Sequence, residues 1–221
     1  LVRDQRGVFR PIDADADLVK TCDSGAYEFN GRTFGDCPSS PDLTSCQFDT
    51  GDGDGFTTAT LIIKDNLTNN ASDSFSLALS KNSDLIGADF FGAPTSHDGT
   101  ASAVCVYFGA TLVAQYNAAA GELDSAGKVL WKQTTSATAV TNSYANSKGN
   151  PDGLTALAQK SGAINAATIT AAAKGLNAPD VTLPLTGPFV AEVQTTDGKC
   201  VSTTFATVVK NTNTELSVKL P

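Results

Sequence analysis

Polar and apolar residues alternate along much of this chain with a period of two. Ser74-Phe75-Ser76-Leu77-Ala78-Leu79-Ser80 places Phe75, Leu77 and Leu79 on one face of an extended segment. Phe189, Ala191 and Val193 do the same opposite Glu192 and Gln194, and Leu216, Val218 and Leu220 opposite Glu215, Ser217 and Lys219. Further runs rich in β-branched and aromatic residues cover 56–64, 103–108, 111–116, 128–133 and 200–209. Between them lie turn formers: Asp65-Asn66, Asn69-Asn70, Asp98-Gly99, Asp152-Gly153, Asp180 and Asp197-Gly198. About ten short strands with frequent turns predict an all-β protein, an antiparallel β-sandwich, with a subdivision into two subdomains placed near 145–153. The Ala-rich stretches 117–120 and 166–174 offer the only helical alternative, and the second also fits a strand.

Outside the patterned region 56–221 the character changes. Residues 1–29 read as an extended N-terminal segment, suited to serve as a strand between subunits. Residues 30–55 form a connector rich in Gly, Asp, Pro and Ser, including Cys37-Pro38-Ser39-Ser40-Pro41 and Asp49-Thr50-Gly51-Asp52-Gly53-Asp54-Gly55. At 221 residues the chain is long enough for one large core or two small ones. Fifteen basic against 23 acidic residues give a net charge of −8, with no Lys/Arg cluster to replace counterions, which argues against a nucleic-acid partner. No apolar run approaches the about 18 to 20 residues needed to span a bilayer. The absence of any Met reads as a processed product or a fragment.

The five cysteines are Cys22, Cys37, Cys46, Cys105 and Cys200, with no C-x-x-C and a single His. That set favours disulfides over zinc or a redox motif, and disulfides imply export. Cys37 and Cys46 close a short loop, while Cys105 and Cys200 sit in strand-like sequence and are placed to staple a sandwich. Cys22 is then left for an intermolecular bond or a free thiol, and other pairings, such as Cys22 with Cys37, stay open.

Two resemblances bear on address. Asp4-Gln5-Arg6-Gly7, Arg10-Pro11, the Asp13-x-Asp15-x-Asp17 run and Cys22-Asp23-Ser24-Gly25-Ala26-Tyr27-Glu28 resemble the closing motif of bacterial surface proteins built on a right-handed parallel β-helix and followed by an anchor region. In that family glycines separate the acids and Ile stands where Ser24 is here. Leu61-Ile62-Ile63-Lys64-Asp65, Asp89-Phe90-Phe91-Gly92-Ala93-Pro94, Val104-Cys105-Val106-Tyr107, Trp131-Lys132, Leu183-Pro184-Leu185 and Thr196-Asp197-Gly198-Lys199-Cys200-Val201 resemble a β-rich module of large secreted proteins from deltaproteobacteria and myxobacteria. An aromatic often stands there at the position of Val201. The two resemblances imply a bacterial, extracellular or surface protein, and neither brings a catalytic residue with it.

Catalytic chemistry has little to stand on. His97 is the only imidazole, in Pro94-Thr95-Ser96-His97-Asp98-Gly99, and adjacency to Asp98 does not orient its ring, so it reads as a surface-loop residue. Gly-x-Ser-x-Gly, a phosphate-binding Gly-rich loop and His-Glu-x-x-His are all absent. Paired carboxylates for glycoside cleavage meet only in three dimensions and stay open.

Calcium is the one cofactor with a mechanism. Asp13, Asp15 and Asp17 alternate as oxygen ligands do, and Asp49, Asp52 and Asp54 are separated by glycines, although neither set matches an EF-hand. Asn66-Leu67-Thr68 and Asn70-Ala71-Ser72 match the glycosylation acceptor pattern and mark an exposed loop, with modification itself not expected of a bacterial chain. A sugar-stacking platform, if present, belongs at Trp131 with Tyr144.

The sequence therefore predicts a non-enzymatic, extracellular structural protein that pairs with copies of itself through residues 1–29 to build a surface fibre or filament. The alternative is an adhesion module, presented at the end of a β-helix protein, that binds a surface glycan or protein.

Overall fold

The computed structural model describes residues 37–43, 46, 48–49 and 55–220, with 48–49 described by backbone alone. Residues 1–29, and with them Cys22, Asp13, Asp15 and Asp17, lie outside the described residues, as do Asp52 and Asp54.

The protein is all-β, a sandwich of two antiparallel sheets. Its strands are β1 (Phe48–Asp49), β2 (Phe56–Lys64), β3 (Ser74–Asn82), β4 (Ser102–Phe108), β5 (Thr111–Ala118), β6 (Trp131–Thr135), β7 (Val140–Ala145), β8 (Leu154–Lys160), β9 (Thr168–Lys174), β10 (Phe189–Thr195), β11 (Cys200–Phe205), β12 (Thr207–Asn211) and β13 (Glu215–Lys219). The larger sheet has the order β12-β13-β2-β3-β9-β8-β7-β6. The smaller has the order β1-β11-β10-β4-β5, in which β1 adds in parallel to four antiparallel strands.

The alternating faces predicted from sequence are the ones that pack. Phe75, Leu77 and Leu79 of β3 share one buried core with Val104 and Val106 of β4, Tyr116 of β5, and Phe189, Ala191 and Val193 of β10. Phe75 stacks on Tyr116 across the sandwich with ring centroids 4.4 Å apart. Loss of either ring from such a position removes a large apolar area and leaves a cavity.

The Ala-rich stretch 166–174 becomes β9, against its helix propensity, because small residues are what the centre of this sheet needs. Ala171 lies between Leu77 of β3 and Leu157 of β8, and Ala173 between Phe75 and Leu154. Large neighbours on both sides leave room for a methyl group only, and tertiary packing overrides propensity.

Residues 146–153, the expected boundary between subdomains, are the loop of a hairpin whose strands pair from Thr141↔Lys160 to Ala145↔Ala156. The core continues unbroken beneath it, from Tyr144 to Leu154 and Leu157. The run 200–209, continuous in sequence, divides at Ala206: β11 belongs to the smaller sheet and β12 to the larger. The run expected at 128–133 starts as a strand only at Trp131. Before it, Asp124 Oδ1 accepts from the backbone N–H groups of Ala126 and Lys128, both at 2.9 Å, and holds a turn.

The disulfides correct the preferred pairing. The bonds are Cys37–Cys105 and Cys46–Cys200, with Cα–Cα distances of 5.6 and 4.8 Å, both within the span a disulfide bridges. Cys105 and Cys200 cannot meet because β10 lies between their strands: Cys105 is in register with Glu192 and Cys200 with Gln194. Two strand spacings separate them by about 10 Å, beyond disulfide reach. The connector therefore does not close on itself. Of its described residues, those from Cys37 to Asp42 lie against the outer face of the smaller sheet, and Cys37 and Cys46 are each bonded to it.

Candidate functional site

The connector converts that outer face into a second small core. Cys37, Ala103, Cys105, Tyr107 and Val190 are buried together, with Leu112 packed against them. Glu192 sits at its centre. Its place opposite Phe189, Ala191 and Val193 reads from sequence as solvent-facing, yet the side chain is 0% exposed. Glu192 Oε1 accepts from the backbone N–H of Asp42 at 2.7 Å, and Oε2 accepts from Gln194 Nε2 at 2.7 Å. Burial raises the carboxyl's pKa while these hydrogen bonds draw it back down. Glu192 is thus a peg for the connector: the covering chain excludes water, and its Asp42 amide supplies part of what the carboxylate lost.

Other hydrogen bonds extend the clamp to the edge of the sheet. Gln115 Oε1 accepts from Cys37 N at 3.1 Å, and the Ser39 carbonyl accepts from Leu112 N at 3.3 Å. The Asp152 carboxylate accepts from Asn117 N on the same strand. Connector and hairpin loop thus close the β5 edge, which otherwise offers free N–H groups to any passing strand. At the far edge of the larger sheet, β12 presents Val208 and Val209 at 53% and 60% exposure. Lys210 and a register shift between Val208 and Lys210 are the features there that discourage indiscriminate pairing.

A second polar group lies where the sequence pointed to sugar stacking. Trp131 and Tyr144 pair in register across β6 and β7, ring centroids 5.3 Å apart, but they are only 4% and 2% exposed. Their faces are core, not platform. The Trp131 indole N–H donates to the Ala119 carbonyl at 2.7 Å, and the Tyr144 hydroxyl donates to Glu122 Oε2 at 2.8 Å while accepting from Asn146 Nδ2 at 3.0 Å.

Burial raises the pKa values of Glu122 and Asp152, and Asp152 adds to the shift at Glu122. These are paired carboxylates, but their oxygens hold structure: Asp152 takes the N–H groups of Asn117 and Leu154. Gly153, at φ 85°, packs against Ala178 and places Asp152 for that role. Replacing Tyr144 by Phe leaves Glu122 and Asn146 each short of a partner and is expected to cost about 1–3 kcal/mol. A urea titration checks this; an unchanged midpoint removes the hydroxyl from the account.

His97 is exposed on its loop, and the backbone there passes so close to Gly121 that a Cβ at 121 would stand 2.5 Å from His97 N. Of the six aspartates considered for calcium, only Asp49 falls among the described residues, in the backbone of β1. Among the described residues no group of three or more His, Cys, Asp or Glu is arranged to hold a metal ion, and no helix is long and apolar enough to cross a membrane. Two disulfides are compatible with an oxidising, extracellular setting.

Comparison with known proteins finds no matching family model, no matching curated protein and no matching solved structure. The functional reading therefore rests on the chain's own residues.

Proposed function

We propose that the chain is a non-enzymatic extracellular structural protein, a subunit of a bacterial surface fibre that assembles through its N-terminal segment. The fastening of the connector carries this reading. Four of the five cysteines are consumed in two bonds within the sandwich, so Cys22 has no disulfide partner left among the cysteines of this sequence and is available for a neighbouring subunit.

The clamp also suits a load-bearing link. Tension applied N-terminal to Cys37 reaches the sandwich through Cys105 on β4, a strand held by β10 on one side and β5 on the other. It bypasses β1, a two-residue strand that would peel away. A strand donated by a neighbouring copy gains main-chain hydrogen bonds at an open edge, and β12, an edge of the larger sheet with Val208 and Val209 exposed, offers one. A head-to-tail contact of this kind continues as a filament unless its rotation closes a ring.

Non-reducing electrophoresis and negative-stain microscopy of the native protein test the proposal, repeated with Cys22→Ser. Covalent ladders and fibres that vanish in the variant are the expected result. Fibres without ladders keep strand addition and discard the bond, and a monomer without fibres moves the reading to an adhesion module. Deleting residues 1–29 is expected to leave the sandwich folded while abolishing assembly; loss of folding would show the segment to be an intramolecular strand.

A further inference from the structure

We infer that Asn66 is an acceptor for covalent N-linked glycan and that Asn70, four residues later in the same loop, is a poor one. Both match Asn-x-Ser/Thr, so the motif alone does not separate them. Their geometry does. The loop joins β2 to β3, and the backbone N–H of Asn66 is fixed by Asp73 Oδ1 at 2.7 Å. Asn66 Oδ1 accepts from Thr68 N at 3.2 Å and from Thr68 Oγ1 at 3.0 Å, while the Asn69 N–H closes a turn on the Asn66 carbonyl at 2.9 Å. The hydroxyl that the motif requires is therefore already bonded to the acceptor amide.

That contact has chemical meaning. An amide nitrogen is a weak nucleophile because its lone pair is delocalised into the carbonyl. Donation of two hydrogen bonds to Oδ1 stabilises negative charge there and makes an Nδ2 proton easier to remove. Nδ2 itself makes no hydrogen bond among the described residues, and its neighbours are open, with Leu67 65% exposed and Thr68 exposed.

At the second motif the parts are engaged elsewhere. The Ser72 hydroxyl accepts from Asn69 Nδ2 at 3.0 Å, and Asn70 opens a 3-10 turn closed by the Asp73 N–H on its carbonyl at 3.1 Å. No hydrogen bond joins Ser72 to the Asn70 amide.

The donor class is a polyprenyl-diphosphate oligosaccharide. Asn66 Nδ2 attacks the anomeric carbon, a C–N bond forms, the C–O bond to the diphosphate breaks, and the polyprenyl diphosphate leaves. The Nδ2 proton passes to a base of the transferase, and nothing is oxidised or reduced. Such transfer takes place in export compartments, where the two disulfides also form. The inference runs against the expectation of an unmodified bacterial chain, and it does not depend on whether the protein forms fibres.

The test is to incubate the folded, disulfide-intact chain with a single-subunit oligosaccharyl transferase that accepts the minimal motif and with its lipid-linked donor, then map the product by mass spectrometry. Occupancy at Asn66 at least several-fold above Asn70 is expected. Thr68→Ala should abolish it, and Ser72→Ala should leave it unchanged. Both positions are exposed, and an unaltered urea midpoint in each variant establishes that folding is intact. Equal occupancy at the two sites, preference for Asn70, or an unmodified chain overturns the inference.

Discussion

Replacing Cys46 and Cys200 together by alanine lowers the stability of the sandwich by about 3–5 kcal/mol, the range expected when a bond closing so long a loop is lost. The sequence separation across this bond is 154 residues, against 68 for Cys37–Cys105. In the chain-entropy account the longer closure restricts the unfolded chain more, so the Cys46–Cys200 pair is the costlier one to remove. The two loops interleave, and removal of one bond leaves the other still restricting the chain, which holds the loss below the sum of both.

The Cys37→Ala/Cys105→Ala variant has a more local signature. It takes one wall from the small core over the outer face, and with it the reason for Asp42 and Ser39 to stay on their partners. Amide exchange at Asp42 and Leu112 should accelerate in that variant before global unfolding does. Peptide mapping of the parent protein supplies the direct check: linked peptides carrying Cys37 with Cys105 and Cys46 with Cys200 are expected, and a peptide closed by Cys37 and Cys46 would sink both the pairing and the clamp.

The same connector marks where sequence stopped being informative. Strands with clean alternation, such as β3 and β13, were legible because one face meets the core and the other meets water or small polar neighbours. β7 and β8 were not. In β8 the register shifts between Leu154 and Ala156, so Leu154 and Leu157 share a buried face without period two, and the next buried position is Gln159. Among the described residues the side chain of that polar residue bonds Ser102 of the opposite sheet, at 3.1 Å, a partner 57 residues away that no local window contains.

Glu192 departs from its alternation pattern for a related reason. Whether a residue opposite an apolar face meets water depends on what covers it, and the cover is a Pro/Ser-rich segment with no periodicity of its own. The cysteines identified a disulfide framework, but the pairing follows from strand order, and strand order is the least local property of the fold.

Burying acids without cations has a consequence for pH. The protein should be more resistant to urea at mildly acidic pH than at neutral pH, in contrast to the usual behaviour of carboxylates held by salt bridges. Glu122, Asp152 and Glu192 all have pKa values raised above the ordinary carboxylate range, in each case chiefly by burial. Asp65 is raised as well, by burial and then by the charges of Asp180 and Asp73.

For each of these groups the folded state keeps a proton that the unfolded chain has already released. Their ionisation therefore costs stability as pH rises from the ordinary carboxyl range, 3.8 for Asp and 4.5 for Glu, through the raised folded values. Below the ordinary values both states are protonated and the dependence vanishes. Glu215 works in the opposite sense: Lys210 at 2.7 Å lowers its pKa, so any contribution it makes is lost as pH falls from 4.5 through that lowered value.

Urea midpoints should thus fall as pH rises from the ordinary carboxyl range, 3.8 for Asp and 4.5 for Glu, through the raised folded values, and level off above them. Glu122→Gln, which keeps the acceptor for Tyr144 and removes the charge, should flatten part of the slope. Midpoints that climb across this interval would mean that the buried acids are compensated by charges or hydrogen bonds beyond those identified around them.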